Sequence, residues 1–172
     1  ITQEDNYEKI TDIFRTINES GKKLSESDST FAIAALKFPG IVMEQLTSLQ
    51  QQNKKWKIAK SSRNEFFTNA LATISTKSIK MKPFQKHLLD TKTTKSKMKR
   101  DLKNLKTGTT RTYEFLHENF GINEKNNQNL LPSNTSLIPL VNLSASSLSV
   151  FENNKEKDIF QNLASFSLER TF

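Results

Sequence analysis

Apolar residues return every three or four positions along most of this chain, and no stretch alternates convincingly between apolar and polar residues. The first spacing belongs to one face of an α-helix, the second to a half-buried strand. A chain with only the first can bury its apolar side by packing helix on helix. The expected fold class is therefore all-α, with about six to eight helices.

The boundaries follow from local chemistry. Residues 5 to 19 read as a helix on Tyr7, Ile10, Ile13 or Phe14, and Ile17, with Asp5 or Asn6 able to cap its start and Gly21 just past its end. Ser25 opens the next helix, with Asp28 three residues on in a capping-box-like position. Its segment from Phe31 to Leu36 is apolar almost all round, which predicts burial on most sides. Pro39-Gly40 stops it. A third helix carries Val42, Leu46 and Leu49 on one face and ends near Trp56. A fourth runs from about Ser62 to Ile74, with Phe66, Phe67, Ala70, Leu71 and Ile74 inward. Pro83 reads as a break, followed by a short helix from Phe84 to Leu89.

From Thr93 to Asn119 the spacing predicts one long helix, with Met98, Leu102, Leu105, Tyr113, Leu116 and Phe120 as a narrow apolar stripe. Lys95, Lys99, Lys103 and Lys106 point mostly elsewhere. Gly108 inside this helix costs roughly 1 kcal/mol relative to Ala and marks a place for a kink or break. Gly121 terminates the helix, residues 123 to 134 form a polar loop, and two last helices are expected over about 136 to 151 and 156 to 169.

Charge is the second constraint. The net charge is +8, yet residues 77 to 106 alone hold eleven basic residues against Asp90 and Asp101, so the rest of the chain is close to neutral. A localised basic stripe fits either a polyanion partner or a solvated helix face in a lysine-rich protein. Apolar residues make up 34% of the chain. That is below the roughly 45–50% of ordinary domains even when glycine is added, so the core is expected to be thin.

Several chemistries are excluded or disfavoured. With no Cys there are no disulfides and no thiolate metal sites. His87 and His117 have no ligand-spaced partners, so no metal site and no metal cofactor are expected. His117 is better read as a helix-end or core residue than as part of a hydrolytic triad. The chain has neither the Walker phosphate loop nor a Gly-x-Gly-x-x-Gly fingerprint. It has neither the clustered acids nor the His-Asn-His spacing of metal-dependent nucleases. Three Asn-x-Ser/Thr triplets, at Asn18, Asn134 and Asn142, are expected by chance in a chain so rich in Asn and Ser. No apolar run approaches the ~18 residues of a membrane span, and no signal-peptide pattern opens the chain, so a cytoplasmic protein without membrane contact is expected. A start at Ile1 rather than Met reads as a fragment or processed product.

The stretch FRTINESGKKLS resembles the F-x-[RT]-[ILM]-N-x-x-G-x-x-L-[ST] signature of the GmrSD-type restriction-endonuclease N-terminal family, through Phe14, Thr16, Ile17, Asn18, Gly21, Leu24 and Ser25. Many members carry Arg where this chain has Thr16, and Arg15 is offset by one. A second segment is similar to the family's passage from a helix end into an LP…LIPL element, through Phe115, Leu116, Gly121, Ile122, Leu131, Pro132, Leu137, Ile138, Pro139 and Leu140. A third, at Ser165, Phe166, Ser167 and Arg170, is similar to the closing S-F-S-x-R-[YF] element, with one extra residue before Arg170.

The resemblance implies a ParB/sulfiredoxin-like nucleotide-handling core followed by a helical region, in proteins that restrict modified or invading DNA and often carry an HNH-type nuclease domain. The core's Asp-Gly-Gln-Gln-Arg motif, tied to NTP binding and hydrolysis, does not occur in this chain. On this reading the chain is the later, helical part of a larger α+β protein. Residues 1–80 would be the helical end of the core and 81–172 the helical region with the basic helix. No cofactor is expected in the chain itself, and an NTP would belong to the parent, whose missing core and nuclease domain would be partners. Asn18 and Gly21 would lie at the rim of that nucleotide site, although a backbone hydrogen bond near the helix end accounts for Asn18, and a positive φ for Gly21, without any site.

Two functions of different kinds follow. The first is a DNA-engaging helical portion, not catalytic by itself, that contacts phosphates over residues 77–111 through Lys95, Lys97, Lys99, Arg100, Lys103, Lys106 and Arg111. The second is a helical scaffold or protein-interaction module in which the Met98–Phe120 stripe docks a partner. A free-standing enzyme is disfavoured by the missing motifs.

Overall fold

Ser25 begins the part of the chain that the structure describes. This computed structural model describes residues 25–56, 63–121 and 134–146, together with Asp158 and Asn162. Six α-helices and one 3-10 turn account for nearly all of them, and no strand occurs among the described residues. The all-α expectation holds. The first expected helix, Asn18, Gly21, the loop over 123–133 and most of the last expected helix lie outside the described residues. Asp158 and Asn162 are helical.

Helix α1 (Glu26–Lys37) starts as its sequence predicts. Ser25 is extended at φ −69° and ψ 157°, and its Oγ accepts the Asp28 N–H at 3.1 Å. The same hydroxyl donates to the Asp28 carboxylate at 2.7 Å, which closes a small ring of hydrogen bonds over the first turn. Two side chains tie α1 to the later helix α4 (Met81–Leu89). Gln85 Nε2 donates to Thr30 Oγ1 at 2.7 Å. The Lys37 ammonium donates to the carbonyls of Leu88 and Asp90, the second at 2.7 Å, and so satisfies free acceptors at the C-terminal end of α4. Burial lowers the Lys37 pKa, and the charge of Asp90 offsets part of that shift.

The face of α1 that is fully buried is Ser27, Thr30 and Ala34. Phe31, Ala32, Ile33, Ala35 and Leu36 are only half-buried, against the expectation of burial on most sides. Helix α3 (Arg63–Thr76) occupies the all-round buried position instead. Every residue from Phe66 to Ile74 except Asn69 is buried. The reason is neighbours. Helix α3 packs against α1, α4, α5 (Lys95–Phe120) and α6 (Ile138–Ser146), whereas α1 packs mainly against α3 and α4. Helix α2 (Ile41–Trp56) follows the Pro39-Gly40 joint and buries Val42, Leu46 and Leu49 as its spacing predicts.

Pro83 does not break the chain; it lies in the first turn of α4. The first four N–H groups of a helix have no internal partner, so a residue without one is tolerated there. Residues on both sides of position 80 contribute to one buried cluster, from Ala34 and Phe67 through Phe84 and Leu102 to Val141. Fully burying each large apolar side chain contributes about 1.5–3 kcal/mol, so this shared cluster is the main source of the fold's stability.

Helix α5 runs unbroken for 26 residues through Gly108. A Cβ at that position would collide with the Val141 carbonyl oxygen and lie 3.0 Å from Ala145 Cβ and 3.2 Å from Ala145 N. The glycine is therefore where α5 and α6 cross with their backbones nearly touching. It does not act as a hinge. At the far end Gly121 adopts the left-handed conformation (φ 63°), and its N–H bonds the His117 carbonyl at 3.1 Å.

Candidate functional site

Helix α5 is capped at its start by Thr94, whose hydroxyl accepts the Lys97 N–H at 3.2 Å. From there the register divides the helix cleanly. Met98, Asp101, Leu102, Leu105, Gly108, Thr109, Thr112, Tyr113, Phe115 and Leu116 face inward. Lys95, Lys99, Arg100, Lys103 and Lys106 are exposed, while Lys97 and Arg111 are half-buried. The six stripe residues therefore belong to the chain's own core, with Phe120 half-buried at its edge. Burial keeps the Tyr113 phenol protonated by pushing its pKa far up.

The basic residues do not act as one set. Lys99, Lys103 and Lys106 share a face with Arg111 and line an open groove of about 820 Å³ between α5 and the first turns of α2. Ile41, Glu44 and Gln45 form the α2 wall, and Glu114 closes one end. Lys95, Lys97 and Arg100 do not line this groove. Arg111 is also committed to the fold, because its Nη1 donates to the Ser144 carbonyl of α6 at 3.3 Å. Asn18 and Gly21, the two residues read as the rim of a nucleotide site, lie outside the described residues.

The groove is electrostatically costly as it stands. Lys99, Lys103 and Lys106 make no hydrogen bond or ion pair with another described residue. Lysines at i, i+4 on one helix repel by about 0.2–0.5 kcal/mol per pair. The first turn of α5 also contains no acidic residue, so cations crowd the end where the helix dipole is positive. Multivalent negative charge placed along the row would relieve the repulsion between its lysines, and placed at the start of α5 it would relieve the second effect.

Beside the row lies a feature that the sequence shows only as one acid in a basic run. Asp101 is buried, and its Oδ2 has no hydrogen-bond partner among the described residues. His87 is close enough to feel its charge. The His87 pKa is lowered, chiefly by desolvation and then by Lys97, while Asp101 and Asp90 oppose the shift. The Thr93 hydroxyl fixes the turn between the two helices by donating to the His87 carbonyl at 2.6 Å. Helical register could have flagged Asp101, which falls on the same face as Met98 and Leu105.

No group of three or more His, Cys, Asp or Glu residues suited to a metal ion occurs among the described residues. None of the described helices is long and apolar enough to cross a membrane. The chain matches no family model, no curated protein and no solved structure. Its functional reading therefore rests on the groove and the charges around it.

Proposed function

We propose that this chain is the DNA-engaging helical portion of an NTP-dependent, modification-dependent restriction or phage-defence protein working in the cytoplasm, and that it is not catalytic by itself. The observation that supports this is the row of Lys99, Lys103 and Lys106, exposed along the α2–α5 groove and unpaired among the described residues. Such a row suits a chain of phosphates. Lys95 and Arg100 extend the exposed basic surface of the same helix. Phosphate contacts of this kind fix position and orientation and carry no sequence information directly. On this reading the nucleotide and nuclease chemistry belongs to the parent protein, with Asn18 and Gly21 at the edge of its nucleotide site.

Retention of duplex DNA tests the reading. With about five phosphate contacts, log K should fall with log salt at a slope near −4.5, roughly a 500-fold loss between 50 and 200 mM. Replacing Lys99, Lys103 and Lys106 with Gln should weaken binding and lower the slope by about 2.7. Binding that stays flat across salt, or that survives the triple substitution unchanged, refutes the proposal. The second outcome would favour a scaffold whose lysines only solubilise it.

A further inference from the structure

The same groove says what kind of contact it can make with nucleic acid. We infer that it grips the backbone of double-helical DNA without reading the bases, so that sequence and base modification are recognised elsewhere in the parent protein. This rests on the DNA reading above and narrows it.

Three observations carry the inference. First, α5 is embedded. It packs against α2, α3 and α6, and among the described residues its long open face is the one bearing the lysines. A helix that reads bases must enter the major groove, which admits a projecting helix or ribbon. Here the lysine row does not project: it faces a groove whose other wall is Ile41, Glu44 and Gln45 of α2, and that wall leaves α5 lying along a duplex rather than entering it. Second, no aromatic residue lines the groove among the described residues. Proteins that hold single strands, or bases turned out of a duplex, stack them on aromatic rings. Third, the side chains suited to base edges are poorly placed. The Arg111 guanidinium is tethered at Nη1 to the Ser144 carbonyl, and Glu44 sits beside Gln45 on the α2 wall, where its carboxylate repels phosphate. The row that lines the groove, Lys99 to Lys106, spans about 10 Å at 1.5 Å per residue. That length corresponds to about three steps of one strand along the duplex axis at 3.4 Å each.

The deciding measurement compares Kd values of the full chain for short duplexes of equal length at fixed salt. The set contains A·T-rich, G·C-rich and 5-hydroxymethylcytosine-containing duplexes, with a single strand of the same length. The native chain and the Gln45→Ala and Glu44→Gln variants are measured side by side. The expected result is a spread within about twofold across all duplexes, unchanged by Gln45→Ala, with the single strand bound more weakly. Glu44→Gln should tighten every duplex alike, because it removes a like charge from the rim. A tenfold or greater preference for one duplex that disappears in Gln45→Ala would mean that the α2 wall reads bases. A single strand bound more tightly than any duplex would equally overturn the inference. Both outcomes leave DNA as the partner. A native chain that binds no duplex at all refutes the DNA reading itself.

Discussion

Replacing Gly108 with Ala tests the packing that holds the candidate site in shape. In an open helix this substitution is favourable by about 1 kcal/mol. Here the added methyl collides with the Val141 carbonyl and reaches 3.0 Å from Ala145 Cβ. The first obstacle is backbone, so relief requires α6 to move away from α5 or α5 to bend. Forced overpacking of this kind costs about 1–3 kcal/mol. Its upper end applies, because a displaced α6 would also loosen Ile138, Leu140 and Val141, all buried. Subtracting the gain in helix propensity leaves a net loss of about 2 kcal/mol, or roughly 4–8 °C in Tm for a chain of this length. Thermal unfolding followed by circular dichroism measures it. The double variant Gly108→Ala with Ala145→Gly should show a coupling of at least about 0.5 kcal/mol, since the two positions touch. A Tm that rises by a few degrees in Gly108→Ala alone would refute the close crossing, because only a loose interface lets the propensity gain through.

Ser25→Ala removes both the acceptor for the Asp28 N–H and the hydroxyl bound to its carboxylate. It should destabilise the fold by about 0.5–2 kcal/mol in chemical denaturation, and Ser25→Asn should recover most of that loss. His87 sets an acid limit. Its pKa is lower in the folded chain than the model-peptide value near 6.5, so the unfolded state binds the proton more readily. The stability this contributes is fully present above pH 6.5 and is lost as the pH falls through the folded-state value. Melting curves from pH 7.5 down to 5 should show a decline in Tm that His87→Gln reduces. Equal slopes in the two proteins would mean that His87 is not the group responsible.

Local signals carried most of the fold. The Ser25–Asp28 cap, the Val42–Leu46–Leu49 face and the inward side of α3 depend on residues a few positions apart, and spacing reports these directly. The misreadings share another cause. Phe31 to Leu36 is more apolar than most of α3, yet α3 holds the central place because more helices surround it. Composition does not count neighbours. Gly108 looked like a weak point because its partners, Val141 and Ala145, are more than thirty positions away. Pro83 is a helix breaker by residue type, but in the first turn of α4 its missing N–H costs nothing. The candidate site divides in the same way. Exposure of Lys95, Lys99, Lys103 and Lys106 follows from helical register alone. The inward side of Asp101 also follows from register, whereas the opposing wall of Glu44 and Gln45 and the tether from Arg111 to Ser144 are tertiary facts that nothing in the linear order discloses.

The crowding of cations at the start of α5 reaches beyond any partner. Lys95, Lys97, Lys99 and Arg100 all lie within the first six residues of a helix whose opening turn has no acid, so that end is under internal tension. Any multivalent anion that settles there becomes a folding ligand, raising stability by RT ln(1 + [L]/Kd). Amide exchange in dilute monovalent buffer should therefore be fastest in the first two turns of α5 and slowest near its crossing with α6. Phosphate or sulfate should close that gap. The melting temperature of this protein is then partly a property of its buffer, and comparisons between preparations hold only when the anions in solution are matched.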